Sequence, residues 1–461
     1  MTKYDKIFLW DVIKCTYYLF SKDFKTTQGD ENMENQIELT KAIVVGVNDT
    51  TDEVFDYQIK EMINLCEARE IVVSQTIVQN LPSPNNKFYV GTGKVEEIRQ
   101  AIDSSGATLV VTLSELSPVQ LKNLSDALDC EVIDRTMLIL EIFQMRAKTK
   151  EAILQVEIAN LKYMLPRLVG SYTRLSRTGG GGGGGAGARR GSGETKLEED
   201  RRHIEKRILK LTDELKEIVE SRKVARKSRK ATNTKVVAFV GYTNAGKSST
   251  INSLLEMFDR SVDKKVFVKD MLFATLETST RAIKLPTNQE FLITDTVGFV
   301  SNLPHHLVES FKSTLEEIKE ADLIVHVVDA SNPYAEKQIE TTDQVLKEIG
   351  TKDIKEVYVL NKVDLVKNRL FLPKVEKDQI ILSNETKEGF DDLIAYIKES
   401  LFHDALYATL LIPYDRGEVF NVLKEKAHIE SFSYLDQGIV VACTMSPYLF
   451  NYYKNFIRKE E

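Results

Sequence analysis

The chain has 461 residues, 42% of them apolar and 28% charged, with a formal net charge of −7. That length exceeds one ordinary core and favours about three folded units. The balance is globular, and nowhere do roughly 18 uninterrupted apolar residues accumulate, as a membrane span needs. Lys3, Asp5, Lys6, Asp11 and Lys14 interrupt the apolar residues of the first twenty, so a signal peptide is not expected. Cys15, Cys66, Cys130 and Cys443 are scattered without CxxC pairs or neighbouring histidines, which argues against a disulfide framework or zinc site and fits a reducing cytoplasm. An acidic mean ordinarily counts against nucleic acid, DNA included, but it hides local asymmetry.

Residues 1–37 show no clear period and read as an appendage, either a flexible arm or a misassigned start upstream of Met33. From 38 to 135, β-branched runs at Ala42 to Val47, Ile71 to Gln79, Thr108 to Thr112 and Glu131 to Ile133 alternate with helical patterns near 55–68, 93–104 and 117–128. This βαβ succession predicts a small α/β sheet domain. Val90-Gly-Thr-Gly-Lys-Val95 looks phosphate-like but lacks the first glycine and the Ser/Thr of a P-loop, so it reads as a turn leading into a helix.

Over 136–233, Leu154, Ile158, Leu161, Leu165 and Leu168 form a heptad stripe. Leu197, Ile204, Ile208, Leu211, Leu215 and Ile218 form a second one in the same phase. Two such helices joined by a loop predict an antiparallel coiled-coil hairpin. Its tip, 169–193, contains Gly179 to Gly185, a run whose ordering would be entropically costly. From Arg167 to Gly193 there is no acidic residue, whereas Arg167, Arg174, Arg177, Arg189 and Arg190 are present. A solubilised linker is the bland reading; contact with RNA phosphates, through Arg174, Arg177, Arg189 and Arg190, explains the acid-free flanks better.

Residues 234–403 carry nucleotide-binding motifs in order. Lys235 to Val240 is a buried-type strand running into Gly241-Tyr242-Thr243-Asn244-Ala245-Gly246-Lys247-Ser248, a P-loop. The glycines let backbone N–H groups turn towards phosphates, Lys247 reaches the β- and γ-phosphates, and Ser248 offers an oxygen to Mg²⁺. A second strand ends in Asp295-Thr296-Val297-Gly298, with Asp295 suited to hold Mg²⁺ through water and the Gly298 N–H to reach the γ-phosphate. Asn361-Lys362-Val363-Asp364 follows a third strand, and the Asp364 carboxylate can accept from both N1–H and the 2-amino group of guanine, a donor pair that adenine lacks. Ser383-Asn384-Glu385 stands where a last loop presents a backbone N–H to guanine O6. Between these, Phe273-Ala274-Thr275-Leu276-Glu277 supplies Thr275 as the threonine that completes Mg²⁺ coordination, with Thr278 and Thr280 as weaker candidates. Phe299 follows Gly298 where many small GTPases orient water with a glutamine, so intrinsic hydrolysis is expected to be slow. Asn244 is a candidate K⁺ ligand, or simply a turn-favouring residue. From 404 to 461, strand, helix, strand and helix follow over Tyr407 to Ile412, Gly417 to Lys426, Gly438 to Cys443 and Pro447 to Ile457, a small α/β unit.

These residues resemble the HflX family of ribosome-associated GTPases, within the translation-factor-related class. The likeness covers roughly 41–461. It is carried by Tyr89-Val-Gly-Thr-Gly-Lys94, Asp134-Arg-Thr and the helix after it, the glycine-rich tip, the Gly241 to Ser248 loop, Phe273-Ala-Thr-Leu, and Asp295-Thr-Val-Gly-Phe299 followed by Leu303-Pro304. Glu277-Thr278 departs from the usual Asp-Pro, and Ser383-Asn384-Glu385 from Ser-Ala-Lys. The resemblance implies a P-loop GTPase fold with a mostly parallel sheet, Thr275 and Ser248 as Mg²⁺ ligands, and a cytoplasmic monomer that meets membranes only through ribosomes. It also implies binding of the GTP form to the large ribosomal subunit, with the N-terminal domain directed at rRNA near the peptidyl-transferase region, and splitting of stalled or stressed ribosomes. A biogenesis or storage factor for the large subunit, or a stress-regulatory GTPase acting on proteins, are the alternatives. An ATPase of the N-terminal region has been attributed to such proteins, but no ATP motif supports it here.

Overall fold

The computed structural model describes residues 40–49, 52–168, 188–231, 234–258, 279–301 and 315–458, with side chains left out at 188–197, 222–231 and 371. Residues 1–37, the glycine run, Arg174, Arg177 and Phe273 to Thr278 therefore lie outside the described residues, and Arg189 and Arg190 have only their helical backbone. The chain is α/β, as its alternating patterns predict. Three sheets follow one another along the sequence.

The first is fully parallel, ordered β2-β1-β3-β4, from β1 (Lys41–Asn48), β2 (Val72–Asn80), β3 (Leu109–Thr112) and β4 (Glu131–Asp134). Successive side chains point to opposite faces, so β1 feeds two cores. Ala42 and Val44 pack with α1 (Asp52–Ala68) and α4 (Arg135–Arg146); Ile43 and Val45 pack with α2 (Thr92–Ser105) and α3 (Pro118–Leu128). Gly91, from the rejected phosphate-like motif, is the N-cap of α2 and donates its N–H to the Gln79 side chain at 2.8 Å.

The helix α5 (Lys150–Met164) is apolar on two sides because it serves two cores. Ala152, Val156, Ala159 and Tyr163 join the sheet core, while Leu154 and Ile158 meet Leu211 of α6 (Ala188–Ala231), flanked by Ile208, Leu215 and Ile218. That seam is the coiled-coil hairpin of the heptads, and Arg207 Nη2 reaches across it to Glu157 at 2.7 Å. Arg167, counted with the acid-free segment, is instead tied to the sheet domain. Its guanidinium stacks on Tyr163 and donates to the Leu116 carbonyl at 2.9 Å, near Glu115 and the buried Asp134.

The central sheet is ordered β10-β9-β8-β5-β7-β6, from β5 (Lys235–Val240), β6 (Ser279–Lys284), β7 (Glu290–Asp295), β8 (Leu323–Asp329), β9 (Lys355–Asn361) and β10 (Gln379–Ile381). Among the described strands of this sheet, β6 alone runs antiparallel. Helices α7 (Lys247–Phe258) and α9 (Phe390–Phe402) cover one face, and α8 (Ala335–Ile349) the other.

The C-terminal expectation is one strand short. Between α10 (Gly417–Lys426) and β13 (Gly438–Met445), β12 (His428–Leu435) forms an edge of an antiparallel sheet ordered β11-β13-β12, where β11 is Leu406–Ile412. Glu430 to Leu435 are exposed, so no buried face imposed an apolar period on that strand. The last helix also stops early: α11 is Pro447–Tyr452, because Ile457 and Arg458 return to pair with β11.

One buried charge cluster ties β8, β9 and α8 together. His326, 1% exposed, places Nδ1 3.3 Å from Glu356 Oε1 and 3.5 Å from Asp343 Oδ1. Its ring lies against Tyr358, whose hydroxyl donates to Asp343, and Lys377 pairs with Glu356. Burial alone would lower the imidazole pKa, but hydrogen bonds and charge from the two carboxylates outweigh it and raise the value. A raised folded-state pKa contributes stability that is complete below the unfolded value, about 6.5, and is lost as pH rises through the folded value. His326→Gln is therefore expected to cost about 3 kcal/mol near pH 6. Urea unfolding should show that cost shrinking steadily towards pH 9, and a pH-independent difference would contradict an imidazolium.

Candidate nucleotide site

All the phosphate- and base-type motifs leave the carboxyl ends of parallel strands, where open α/β sheets gather ligands. Gly241 follows β5 with φ +143°, and a Cβ there would strike the Val327 carbonyl oxygen. Gly246 has φ +98°, and its Cβ would run into the Asn361 amide. Both positions demand glycine, and between them Asn244 takes the left-handed region at φ 61°, exposed. The loop then enters α7, so its N–H groups end at a helix N-terminus of the kind that binds anions.

Lys247 is 6% exposed and folds back inside this loop, donating to the carbonyls of Gly241 at 3.0 Å and Tyr242 at 2.9 Å. Burial lowers its pKa to about 8, although the nearby Asp295 carboxylate opposes the shift. Ser248 Oγ donates to Asp295 Oδ2 at 2.6 Å, which joins the start of α7 to the end of β7. Beyond Asp295, the Thr296 hydroxyl is used within the fold, bonding the Phe239 carbonyl at 2.7 Å. Gly298 is packed so closely on the P-loop that a Cβ would lie 2.7 Å from Thr243 Cγ2 and 3.0 Å from Lys247 Nζ. The Thr243 N–H bonds the Phe299 carbonyl at 2.8 Å, and the Phe299 ring turns away into the core beside Val240 and Ile318.

On the base side, Asn361 Nδ2 bonds the Ala245 carbonyl at 2.8 Å and so ties the end of β9 to the phosphate loop. Lys362 sits in the left-handed region at φ 62° and pairs with Asp329 at 2.7 Å, Val363 is buried, and Asp364 stays exposed. Ser383 Oγ donates to Asp364 Oδ1 at 2.6 Å and accepts the Thr386 N–H at 3.1 Å, which fixes the loop after β10 against the aspartate. Asn384 Nδ2 reaches Thr250 Oγ1 at 3.1 Å, whereas Glu385 points to solvent. The Oδ1 atoms of Asn361 and Asn384 have no hydrogen-bond partner within the described residues. Unsatisfied buried acceptors of this kind suit a site completed by a ligand.

The geometry thus brings together the Gly241–Ser248, Asp295–Gly298, Asn361–Asp364 and Ser383–Glu385 groups. Thr280, a weaker switch candidate, lies in β6 with its hydroxyl 3.3 Å from Thr294. Sequence reasoning missed that Tyr242 turns its side chain away from the loop. Its hydroxyl meets Glu61 of α1 and Ser301, and Arg135 of α4 closes the group. No local motif could have announced contacts whose partners lie 59 to 181 residues apart.

Two outcomes follow. Because Lys247 is depressed to about 8, a bound polyphosphate must raise it again, and binding above that pH takes up a proton. GDP affinity should therefore fall as pH rises from about 8 to about 9, by up to about tenfold. Calorimetry in two buffers should reveal the uptake, and Lys247→Ala should lack it. Asp364→Asn should weaken GTP binding by about 2 kcal/mol and favour xanthosine nucleotides; a retained guanine preference in competition binding would refute this base-reading assignment.

Comparisons with known proteins identify the family. A model for the GTP-binding GTPase N-terminal region matches residues 56–144, its middle region matches 146–229, and a 50S ribosome-binding GTPase model matches 236–362. GTPase HflX of Caldanaerobacter subterraneus subsp. tengcongensis is 40% identical, over 90% of this chain and 94% of its own. The Escherichia coli GTPase HflX is 37% identical over 82% of this chain and 87% of its own. Among solved structures, a GTP-binding protein from the hyperthermophilic archaeon Sulfolobus solfataricus in complex with GDP is 25% identical, spans 79% of this chain and 99% of that one, and has a TM-score of 0.41. At 40% identity over nine-tenths of its length, the chain belongs to the HflX family of GTPases.

Proposed function

We propose that this GTPase acts on the large ribosomal subunit, docking in the GTP form to split stalled or stressed ribosomes and leaving on hydrolysis. The observation that carries the reading is the pairing of one nucleotide switch with a helical hairpin in which residues 168–193, beyond the sheet-bound Arg167, hold four arginines and no acid. The description of its G-domain family model as a 50S ribosome-binding GTPase points the same way. Arg174, Arg177, Arg189 and Arg190 are assigned to rRNA phosphates near the peptidyl-transferase region. No helix among the described residues is long and apolar enough to cross a membrane, and the cytoplasm is the proposed compartment.

In the hydrolytic site, Lys247 exchanges its two loop carbonyls for the β- and γ-phosphates, and the Gly298 N–H donates to the γ-phosphate. Mg²⁺ fits the donor set, since Ser248 Oγ and Asp295 Oδ2 are hard oxygens 2.6 Å apart. Mg²⁺ would offset phosphate charge there, and Ser248, Thr275 and, through water, Asp295 are the residues that would hold it. Phe299 is turned into the core and has no group to orient water, so a ribosomal effector is assigned that task. Asn244, exposed at the head of the loop, is the proposed K⁺ ligand.

GTP turnover measured alone and with large subunits tests this. Stimulation of about a hundredfold or more is expected, larger in potassium than in sodium and insensitive to the cation in Asn244→Ala. Failure of large subunits to stimulate turnover would overturn the ribosomal reading, and equal rates in the two cations would remove the K⁺ role.

A further inference from the structure

A buried polar group links the nucleotide loop to the N-terminal sheet domain. Tyr242, in the P-loop, is 4% exposed, and its hydroxyl contacts Glu61 Oε1 and lies 2.6 Å from Ser301 Oγ. It also accepts the Ser301 N–H at 2.6 Å. Arg135 Nη2 donates to Glu61 Oε2 at 2.6 Å and to the Ser301 carbonyl at 3.0 Å. Glu61 and Arg135 are each 5% exposed. The Ser301 N–H, hydroxyl and carbonyl are therefore all held, two by Tyr242 and one by Arg135. Val297 and Val300, on either side of Gly298, pack in the same core as β1, α1 and α4. Nearby, Tyr57 of α1 accepts from Gln338 of α8 at 3.0 Å, and the Tyr334 ring lies tilted against it with centroids 4.6 Å apart.

Gly298 thus lies in a segment fixed at both ends. One end is β7, and the other is a serine bolted to a second domain. We propose that Glu61 and Arg135 are positioning residues for γ-phosphate recognition: through Tyr242 and Ser301 they hold Gly298 against Lys247, so that the N-terminal domain sets the preference for GTP over GDP. Neither residue touches nucleotide. Through Ser301 they act on the segment that meets the third phosphate, whereas the Tyr242 backbone in the P-loop has its own anchors at Lys247 and Ala245, so GDP affinity is expected to change little. Coupling is reciprocal, and occupancy by a GTP analogue must in turn tighten α1 and α4. An ion pair also suits a device with two arrangements better than apolar packing does, because opening it leaves buried charges uncompensated.

The inference rests on Gly298 as the γ-phosphate reader, and the experiment separates the two claims. Removing only one partner would strand a buried charge, so both are replaced at similar volume in Glu61→Leu/Arg135→Met, a change that buried pairs commonly tolerate. Affinities for GTPγS and GDP are measured in the full chain for wild type, this double variant and Gly298→Ala, with thermal unfolding as the check of folding. The expected result is about a tenfold loss of GTPγS affinity in the double variant, the ordinary size of coupling between sites, with GDP affinity unchanged. Gly298→Ala should lose the same preference through its clash with Thr243. If Gly298→Ala loses the preference and a folded double variant keeps it, the positioning role falls while the reader stands. If Gly298→Ala keeps it, the reader itself is wrong. An equal loss for both nucleotides would mean a structural role only. Should the double variant not fold, hydrogen exchange on the wild-type chain decides: added protection of α1 and α4 with GTPγS over GDP sustains the coupling, and identical protection overturns it.

Discussion

A lysine ammonium held inside its own loop is the constraint on which the rest of the site depends. Lys247 is buried and donates to the Gly241 and Tyr242 carbonyls, and burial lowers its pKa to about 8 although the nearby Asp295 carboxylate opposes the shift. A charge so poorly solvated is poised to exchange weak neutral acceptors for phosphate oxygens. Everything around it serves to keep that loop rigid. Gly241 and Gly246 allow the backbone to pass close to Val327 and Asn361, and the Asn361 amide closes the loop from the base side. The Asn361–Asp364 turn and the Gly241–Ser248 loop are therefore one hydrogen-bonded unit, and displacement of one strains the other.

The same economy governs how the domains are joined. α5 keeps only a narrow solvent stripe, through Lys150, Ile153, Glu157 and Met164, since one face completes the sheet core and another the hairpin seam. Tyr242, Val297 and Val300 extend that sheet core into the nucleotide domain. A hairpin, a sheet and a switch segment that share packed surfaces move as neighbours, because close-packed interiors shift between discrete arrangements more readily than they deform.

Legibility in the sequence followed the range of the interaction. The loop of Gly241 to Ser248, the Asn361 to Asp364 turn and the heptads of α5 and α6 are each specified by residues within a few positions of one another, so their spacing was sufficient. The strand alternation of the first sheet was readable for the same reason. β6 and β12 were not, because β6 fully buries Ile283 alone and β12 leaves Glu430 to Leu435 exposed, so neither has a buried face along its length. The Tyr242, Glu61, Arg135 and Ser301 group was illegible in principle: α1, α4, the P-loop and the segment after β7 meet only once both domains are folded. Arg135 read as part of a family motif, without the ion pair that makes it necessary.

Arg167 makes the same point in the opposite direction. Composition grouped it with the arginines of the hairpin connection, yet its guanidinium stacks on Tyr163 and caps the Leu116 carbonyl beside Asp134, a carboxylate that burial pushes upward and that the arginine charge pulls back. Asp134 also accepts the N–H groups of Leu116 and Met137, so it starts α4 while it anchors the base of the hairpin. The helix that carries Arg135 to the switch and the hairpin that carries the remaining arginines therefore originate from one buried carboxylate. The junction that anchors the base of the hairpin therefore lies one residue from the arginine that grips Ser301.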